Sequence, residues 1–507
     1  MNISGTSYKS YAQNHGGRVL LLFLLFLLAL YEFYTMGITG FALVCFIPVI
    51  ALAIIMTFRF RMFVFWTLCF VNYFIQFKNL PFNFPASVPN ELLEIILLIL
   101  AIIEVEELKF ERTANIMLWA LLIWCGFCTI EVLNDTCGLG INVGAWYTGA
   151  RMMAFQLLYA FMVYILYITD PKKLTTYLYI WGGLALFAVF WVLKQKTFGF
   201  TDAENAWLQS RGRTTHILYG GTLIRYFSIY SDAANFGIGM ASTAVAFLIF
   251  ALTSRIWKHR IFFLLVGAGC TWAMFPSGTR TAIFCLFAGI TVYIFLSKSF
   301  KIAVPLTIFF GLFVFLLAFT TIGNSNQSIR RMRSAFNRSD ASATTRTINQ
   351  ETMRKYLAEA PWGIGIGMNY DNVPANNKYR KLSTLPPDSE YVFIWQHTGI
   401  IGITFFLITT AIMFIGACWV VLFKIKSPSL RGIGSGLCCA FVAIQLGGYG
   451  NQVLMQFPNC LVFYGGLALV YALPFFEGEW KEYEESLFAK QEEKKRLKLE
   501  KKKALRV

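Results

Sequence analysis

The residues best suited to chemistry in this 507-residue chain are arginines standing between apolar runs: Arg211, Arg213, Arg225, Arg280 and Arg346. A guanidinium stays charged and presents a planar fork that matches two phosphate oxygens at once, so several of them at one membrane surface suit a phosphate or diphosphate. Further along stand Asp388, Glu390 and His397, while His216 lies beside Arg211 and Arg213. Any of these four can take a proton from a hydroxyl within hydrogen-bond reach. Cations facing an anionic leaving group and a base facing a nucleophile are the parts needed for transfer from a diphosphate. No Asp, Glu or His cluster has metal-ligand spacing, so no metal and no cofactor is expected, and arginine is the available counter-charge.

These groups must be held by a membrane bundle. Hydrophobic residues make up 57% of the chain and charged residues 14%, with a mean hydropathy of +0.58, values that exclude an ordinary soluble domain. With about 20 apolar residues per span, the expected fold is an all-α polytopic bundle of about fourteen transmembrane helices, with one long outer (periplasmic) loop of short helices. The expected spans are 19–36, 38–57, 62–77, 91–103, 115–133, 153–169, 176–193, 232–252, 261–275, 281–297, 302–322, 403–423, 432–450 and 459–475. The run after Arg18 resembles a signal peptide, but it lacks a small-residue cleavage site and reads as a retained span.

Lysines and arginines outnumber acids 44 to 27, for a net charge of +17. They recur at alternate span ends, as Arg59 and Arg61, Lys109 and Arg112, Lys172 and Lys173, Arg255, Lys258 and Arg260, Lys298 and Lys301, and Lys424, Lys426 and Arg431. That alternation puts both termini in the cytoplasm and explains the basic excess without nucleic acid. The expected organisation is a cytoplasmic N-terminus (1–18), a transmembrane bundle (19–322) with an outer loop at 194–231, a large periplasmic loop (323–398), C-terminal transmembrane helices (399–476) and a charged cytoplasmic tail (477–507). The eleven cysteines lie almost all within apolar runs and imply no disulfide framework.

Outer arginines run against the positive-inside rule and need an anionic partner. Arg225 and Arg280 precede spans and have a second reading, snorkelling to lipid headgroups. Arg330, Arg331 and Arg333 form one run and read as a solvated basic face. Arg346 opens a segment in which Met353 and Leu357 recur at helical spacing before Pro361 and the glycines of PWGIGIG end it. Trp362 and Trp395 are each a stacking platform for a sugar ring or an interfacial aromatic. Tyr391 to Phe423 is too long for one span, so Tyr391–Thr398 is expected as an outer helix turning at Gly399 and Gly402.

SGTRTAIF (277–284), Arg346 followed by a short helix and PWGIGIG (361–367), DSEYVFIWQHTGIIG (388–402) and Arg225 ahead of YFSIYSDAANFGIGM (226–240) together resemble the bacterial O-antigen ligase and O-antigen polymerase superfamily, over roughly residues 200 to 420. The resemblance implies a metal-independent glycosyltransferase of the bacterial plasma (inner) membrane that moves a glycan from a polyprenyl diphosphate carrier to an acceptor hydroxyl, commonly with inversion. Outer arginines would hold the diphosphate, Arg225, Arg280 and Arg346 first, with Arg211 and Arg213 secondary. The family's base is often a histidine of an H-N-x-x-L motif about eleven residues before the closing G-x-x-G. Counting back from Gly399 lands instead on Asp388, followed by Ser389, which leaves Asp388 and Glu390 as alternative bases and tilts the reading toward a polymerase of lipid-linked repeat units over a ligase. The implied partners are a polyprenyl-diphosphate-linked oligosaccharide, a glycan acceptor and membrane lipid, with a chain-length regulator as a further candidate. A flippase or transporter for lipid-linked oligosaccharide is the alternative of another class. Span centres almost free of charge and informative residues gathered on one side favour the enzyme.

Overall fold

The computed structural model describes residues 16–37, 44, 52, 55, 59–80, 88–103, 110–218, 221, 223–325, 327–333 and 341–504. The chain forms two units, 1–66 and 67–507. In the first, α1 (Gly16–Met36) is apolar on all sides, and its Leu20–Leu24 and Phe26–Leu28 side chains are exposed, as suits a helix facing lipid. Helix α2 (Arg61–Phe74) begins there and ends in the second unit.

The second unit continues with α3 (Val88–Ile103), α4 (Ile116–Ile130), α5 (Val143–Ala150), which passes through a π turn into α6 (Gln156–Tyr167), and α7 (Pro171–Phe198). Then come the short α8 (Asp202–Trp207), a two-residue hairpin pairing Ile217 with Ile224, and α9 (Ala233–Thr253), α10 (Trp257–Ala273), α11 (Arg280–Leu296) and α12 (Phe300–Phe319). The long polar stretch holds α13 (Gln327–Arg333), α14 (Ala341–Leu357) and α15 (Arg380–Thr384). It is followed by α16 (Glu390–Trp419), α17 (Pro428–Gly450), α18 (Asn459–Ala472) and the charged α19 (Glu477–Ala504). The chain is an all-α, multi-pass membrane protein. Each expected span has a helix at its place except 38–57, which lies almost wholly outside the described residues. Among the described residues seven helices are long and apolar enough to cross a membrane, and shorter apolar helices lie at Leu20–Met36, Arg61–Phe74 and Arg280–Leu296.

Local chemistry sets the helix ends. Asp170 accepts Lys173 N–H at 2.9 Å ahead of Pro171, so α7 starts there; it runs past the expected end at 193 to Phe198, where Gly199 at φ 84° stops it. Thr201 and Glu204 then form a reciprocal capping box for α8. Helices α9, α17 and α18 form the buried centre: α9 packs on α17, α10 and α11, and α18 on α6. Glycines permit the close approach, since a Cβ on Gly436 would lie 2.5 Å from the Phe250 ring and one on Gly447 2.3 Å from Ile238.

The polar stretch has its own core of Cys137, Met353, Leu357, Ala360, Ile364 and Leu382 among others, with Trp395 packed against it. The helical spacing of Met353 and Leu357 thus faces a real apolar partner. Helix α16 breaks at Gly399, whose φ of 64° and ψ of −167° are not helical. The glycine-rich turn braces the break: Ile364 N–H donates to Gln396 O and Gly365 N–H to His397 O, both at 3.0 Å, and Ile401 N–H donates to Pro361 O at 3.3 Å. A Cβ on Gly399 would lie 2.0 Å from Pro361 O. Gly399→Ala therefore meets both a left-handed backbone and a collision, and is expected to cost more than about 2 kcal/mol. Thermal unfolding in detergent checks it.

Candidate active site

The N-termini of α9, α11, α16 and α18 and the C-terminus of α17 meet at one end of the bundle, because the intervening helices alternate in direction. The turn Ser277–Thr279, ahead of α11, is the anchor. Ser277 Oγ donates to Met274 O at 2.6 Å and accepts Thr279 N–H at 3.1 Å, while Thr279 Oγ1 donates to Ala233 O at 2.9 Å. The turn is therefore bound to the first residue of α9.

Arg225 lies across this turn. Its Nε donates to Ser277 O at 3.1 Å, Nη2 to Thr279 Oγ1 at 3.1 Å and Nη1 to Thr215 O at 3.0 Å. Arg331 enters from the other side, with Nε donating to Gly278 O at 2.6 Å. The two stems straddle Gly278, since a Cβ there would lie 3.2 Å from Arg225 Cγ and 3.3 Å from Arg331 Cδ. Arg346 Nη2 donates to Gly450 O at 2.8 Å, and a Cβ on Gly450 would lie 2.3 Å from Thr281 Oγ1, next to Arg280. Burial, followed by the fields of Arg331, Arg280 and Arg346, pulls the Arg225 guanidinium down to about 10, with Asp232 acting the other way. Arg225 thus feels three further guanidiniums around this turn. Arg331, which the sequence places on a solvated basic face, belongs with them; nothing in the run Arg330–Arg333 distinguishes it, because only folding selects the residue that meets Gly278.

Arg211 and Arg213 are exposed on the turns before His216. The field of Arg211 reaches Lys78, whose ammonium lies 4.5 Å over the Trp207 ring. Burial lowers Lys78 to about 8, opposed by Asp232. The sequence reading missed both Lys78 and Asp232. Asp232 is occupied: Oδ1 accepts Ala234 N–H and Asn235 N–H, and Oδ2 accepts Ser231 Oγ–H at 2.9 Å. His216 is buried and structural. Its Nε2 accepts Ala233 N–H at 3.0 Å, and Nδ1 faces Gly212 O and Thr215 Oγ1. Burial pushes its pKa down to about 4, with Arg225 adding to the effect. A depressed folded-state pKa means that the unfolded chain binds the proton first, so stability held above pH 6.5 declines as pH falls toward 4, by about 3 kcal/mol in all. Chemical unfolding between pH 7 and 4 checks this, and His216→Asn should flatten the profile.

Asp388 is half-buried just before α16. The residues on either side of it are tied to the last turn of α17 and the loop after it: Pro387 O accepts Gln452 Nε2–H, Ser389 Oγ donates to Gly448 O at 3.0 Å, and Glu390 Oε2 accepts Leu454 N–H at 2.9 Å. Glu390 is only 3% exposed, so its carboxylate braces the loop. Pro387, Ser389 and Glu390 around Asp388 thus bond the same 448–454 segment whose Gly450 carbonyl receives Arg346. His397 is buried beneath the glycine-rich turn, with Nδ1 at 2.9 Å from Phe393 O and Nε2 at 3.1 Å from Met368 O. The structure thus brings Arg225, Arg280 and Arg346 into one neighbourhood, ties the residues flanking Asp388 to the segment that Arg346 grips, and turns Glu390, His216 and His397 to structural bonds.

No curated protein matches the chain. Residues 262–407 match the family model described as O-Antigen ligase, and this stretch takes in the Ser277–Thr281 turn, Arg331, Arg346 and Asp388.

Proposed function

We propose that the protein is a glycosyltransferase of the bacterial inner membrane, with both termini cytoplasmic and the 323–398 loop periplasmic, that transfers a glycan from a polyprenyl diphosphate to the hydroxyl of another lipid-linked repeat unit. The observation that carries this reading is the gathering of Arg225, Arg280, Arg331 and Arg346 around Ser277–Thr281 and Gly450, with Asp388 anchored to the same loop. Four cations held together against their mutual repulsion suit an anion carrying more than one charge. The N-terminus of α11 adds its dipole, with no side-chain cap on its first turn.

In the reaction, Asp388 takes the proton of the acceptor hydroxyl as the oxygen bonds to the anomeric carbon. The bond from that carbon to the carrier's diphosphate breaks, the electron pair leaves on the diphosphate oxygen, and the arginines stabilise the charge developing there. Attack from the face opposite the leaving group inverts the anomeric carbon. Arg211, Arg213 and Lys78 lie outside this set and guide the anion toward it. Glu390 keeps the loop in place.

The second reading, a ligase passing the glycan to a non-carrier acceptor, is favoured by the description of the matching family model. Purified protein in proteoliposomes, supplied with the lipid-diphosphate repeat unit, tests both. Longer carrier-linked oligomers support polymerisation, and product on a non-carrier acceptor alone supports ligation. Release of neither, under conditions where the carrier is bound, overturns the proposal.

A further inference from the structure

The outer arginines account for a diphosphate but not for the sugars it carries. A second site of different chemistry stands where α4 ends. There a cavity of about 340 Å³ is lined by Ile130, Glu131, Leu133, Asn134, Asp135, Thr136 and Trp362. Trp362 is 43% exposed, and its ring lies nearly parallel to that of Phe127, at 7° and 5.9 Å between centroids. Trp395, the other candidate platform, is taken up by the loop core.

The polar groups of this cavity are fixed in advance. Asn134 Nδ2 donates to Trp362 O at 2.7 Å and to Glu131 Oε2 at 2.8 Å, which ties the tryptophan to the carboxylate. Thr136 Oγ1 donates to Asn134 Oδ1 at 2.7 Å, and Asp135 Oδ1 accepts Leu139 N–H and Gly140 N–H. Glu131 is 3% exposed, yet its Oε1 is buried with no hydrogen-bond partner among the described residues. A buried carboxylate oxygen left unsatisfied is costly unless something donates to it. A flat, braced aromatic ring beside carboxylate acceptors is the arrangement that takes a pyranose: the ring's apolar face stacks, and its hydroxyls donate.

We infer that Trp362 and Glu131 form a glycan subsite, holding a sugar of the lipid-linked chain away from the diphosphate. This rests on the glycosyl-transfer reading for the identity of the chain, not for the chemistry of the cavity. The spacing fits. Gly363 packs on Gly399 and His397, and Glu390 to Thr398 of α16 covers eight helical steps, roughly 12 Å. Trp362 therefore sits by the far end of this helical segment, roughly 12 Å along its axis from the Asp388 end, a length that spans a few sugars. It would favour multi-sugar repeat units over a carrier bearing a single sugar.

The test uses the full-length protein in nanodiscs and the oligosaccharide released by mild acid from the cells' own lipid-linked pool. Calorimetry is expected to show binding that weakens about tenfold in Trp362→Ala and in Glu131→Gln and stays within about threefold in Trp362→Phe. In turnover, the loss in Trp362→Ala should fall on KM for the lipid-linked repeat unit rather than on kcat, and shrink on a carrier bearing one sugar. Unaltered binding in a folded Trp362→Ala overturns the subsite even if transfer proceeds. Binding that appears only with added Ca²⁺ or Mg²⁺ and is lost in Glu131→Gln overturns it in favour of a cation site. Binding that is lost in Trp362→Ala by a protein that transfers nothing leaves the subsite standing and overturns the transfer reading.

Discussion

Asparagine at position 388 is expected to slow glycan transfer by about 10² to 10⁴, the usual contribution of a positioned general base, while the folded protein still retains the lipid-diphosphate carrier. The amide keeps the size and a hydrogen-bonding oxygen of Asp388 but cannot take the proton. The neighbouring carboxylate behaves differently. Glu390 receives Leu454 N–H at 2.9 Å from within the protein, so Glu390→Ala leaves a buried donor unsatisfied and is expected to cost about 1–3 kcal/mol of stability. Single-turnover rates and thermal unfolding on both variants separate the roles. Parent-like turnover in Asp388→Asn together with folded but inactive Glu390→Gln would move the base to Glu390.

Among the arginines the largest effects are expected at Arg225 and Arg280, where alanine should lower kcat by about 10² to 10³ through lost stabilisation of the leaving group. Arg225→Lys should not restore it. Three N–H groups of one guanidinium reach Ser277 O, Thr279 Oγ1 and Thr215 O together, and an ammonium has no such fork. Arg331→Ala should be impaired as well, because Arg331 holds Gly278 from the opposite side, whereas the exposed Arg330 tolerates alanine within a few-fold. The Arg225→Ala, Arg331→Ala double variant is expected to lose less than the two single effects combined, since both arginines grip one turn. Transfer rates on the lipid-linked repeat unit, with carrier retention measured alongside, check the series.

Much of this was legible in residue order. Apolar runs of span length gave the helices. Met353 and Leu357 at helical spacing marked α14, and the glycines of PWGIGIG marked a turn. What composition could not show was which neighbour does what. Asp388 and Glu390 are two residues apart and chemically alike, yet the start of α16 points one at Leu454 and leaves the other half-buried. Arg331 sits between Arg330 and Arg333 and differs from them only in meeting Gly278. The brace at Gly399 pairs backbone groups more than thirty residues apart, and hydropathy carries no trace of such a bond. Lys78 is hidden for the same reason, since the Trp207 ring it faces lies far along the chain.

The segment 448–454, the end of α17 and the loop after it, receives Arg346 at Gly450, Ser389 at Gly448 and Glu390 at Leu454. The proposed base, through its neighbours Pro387 and Ser389, and one of the proposed phosphate grips, Arg346, therefore share a single mount, so a displacement of that segment carries the two together. In the proposed reaction, the base and that arginine are held in register by the fold before substrate arrives. The slow event then shifts to traffic: how quickly a lengthened sugar chain and its spent carrier clear the groove before the next pair enters.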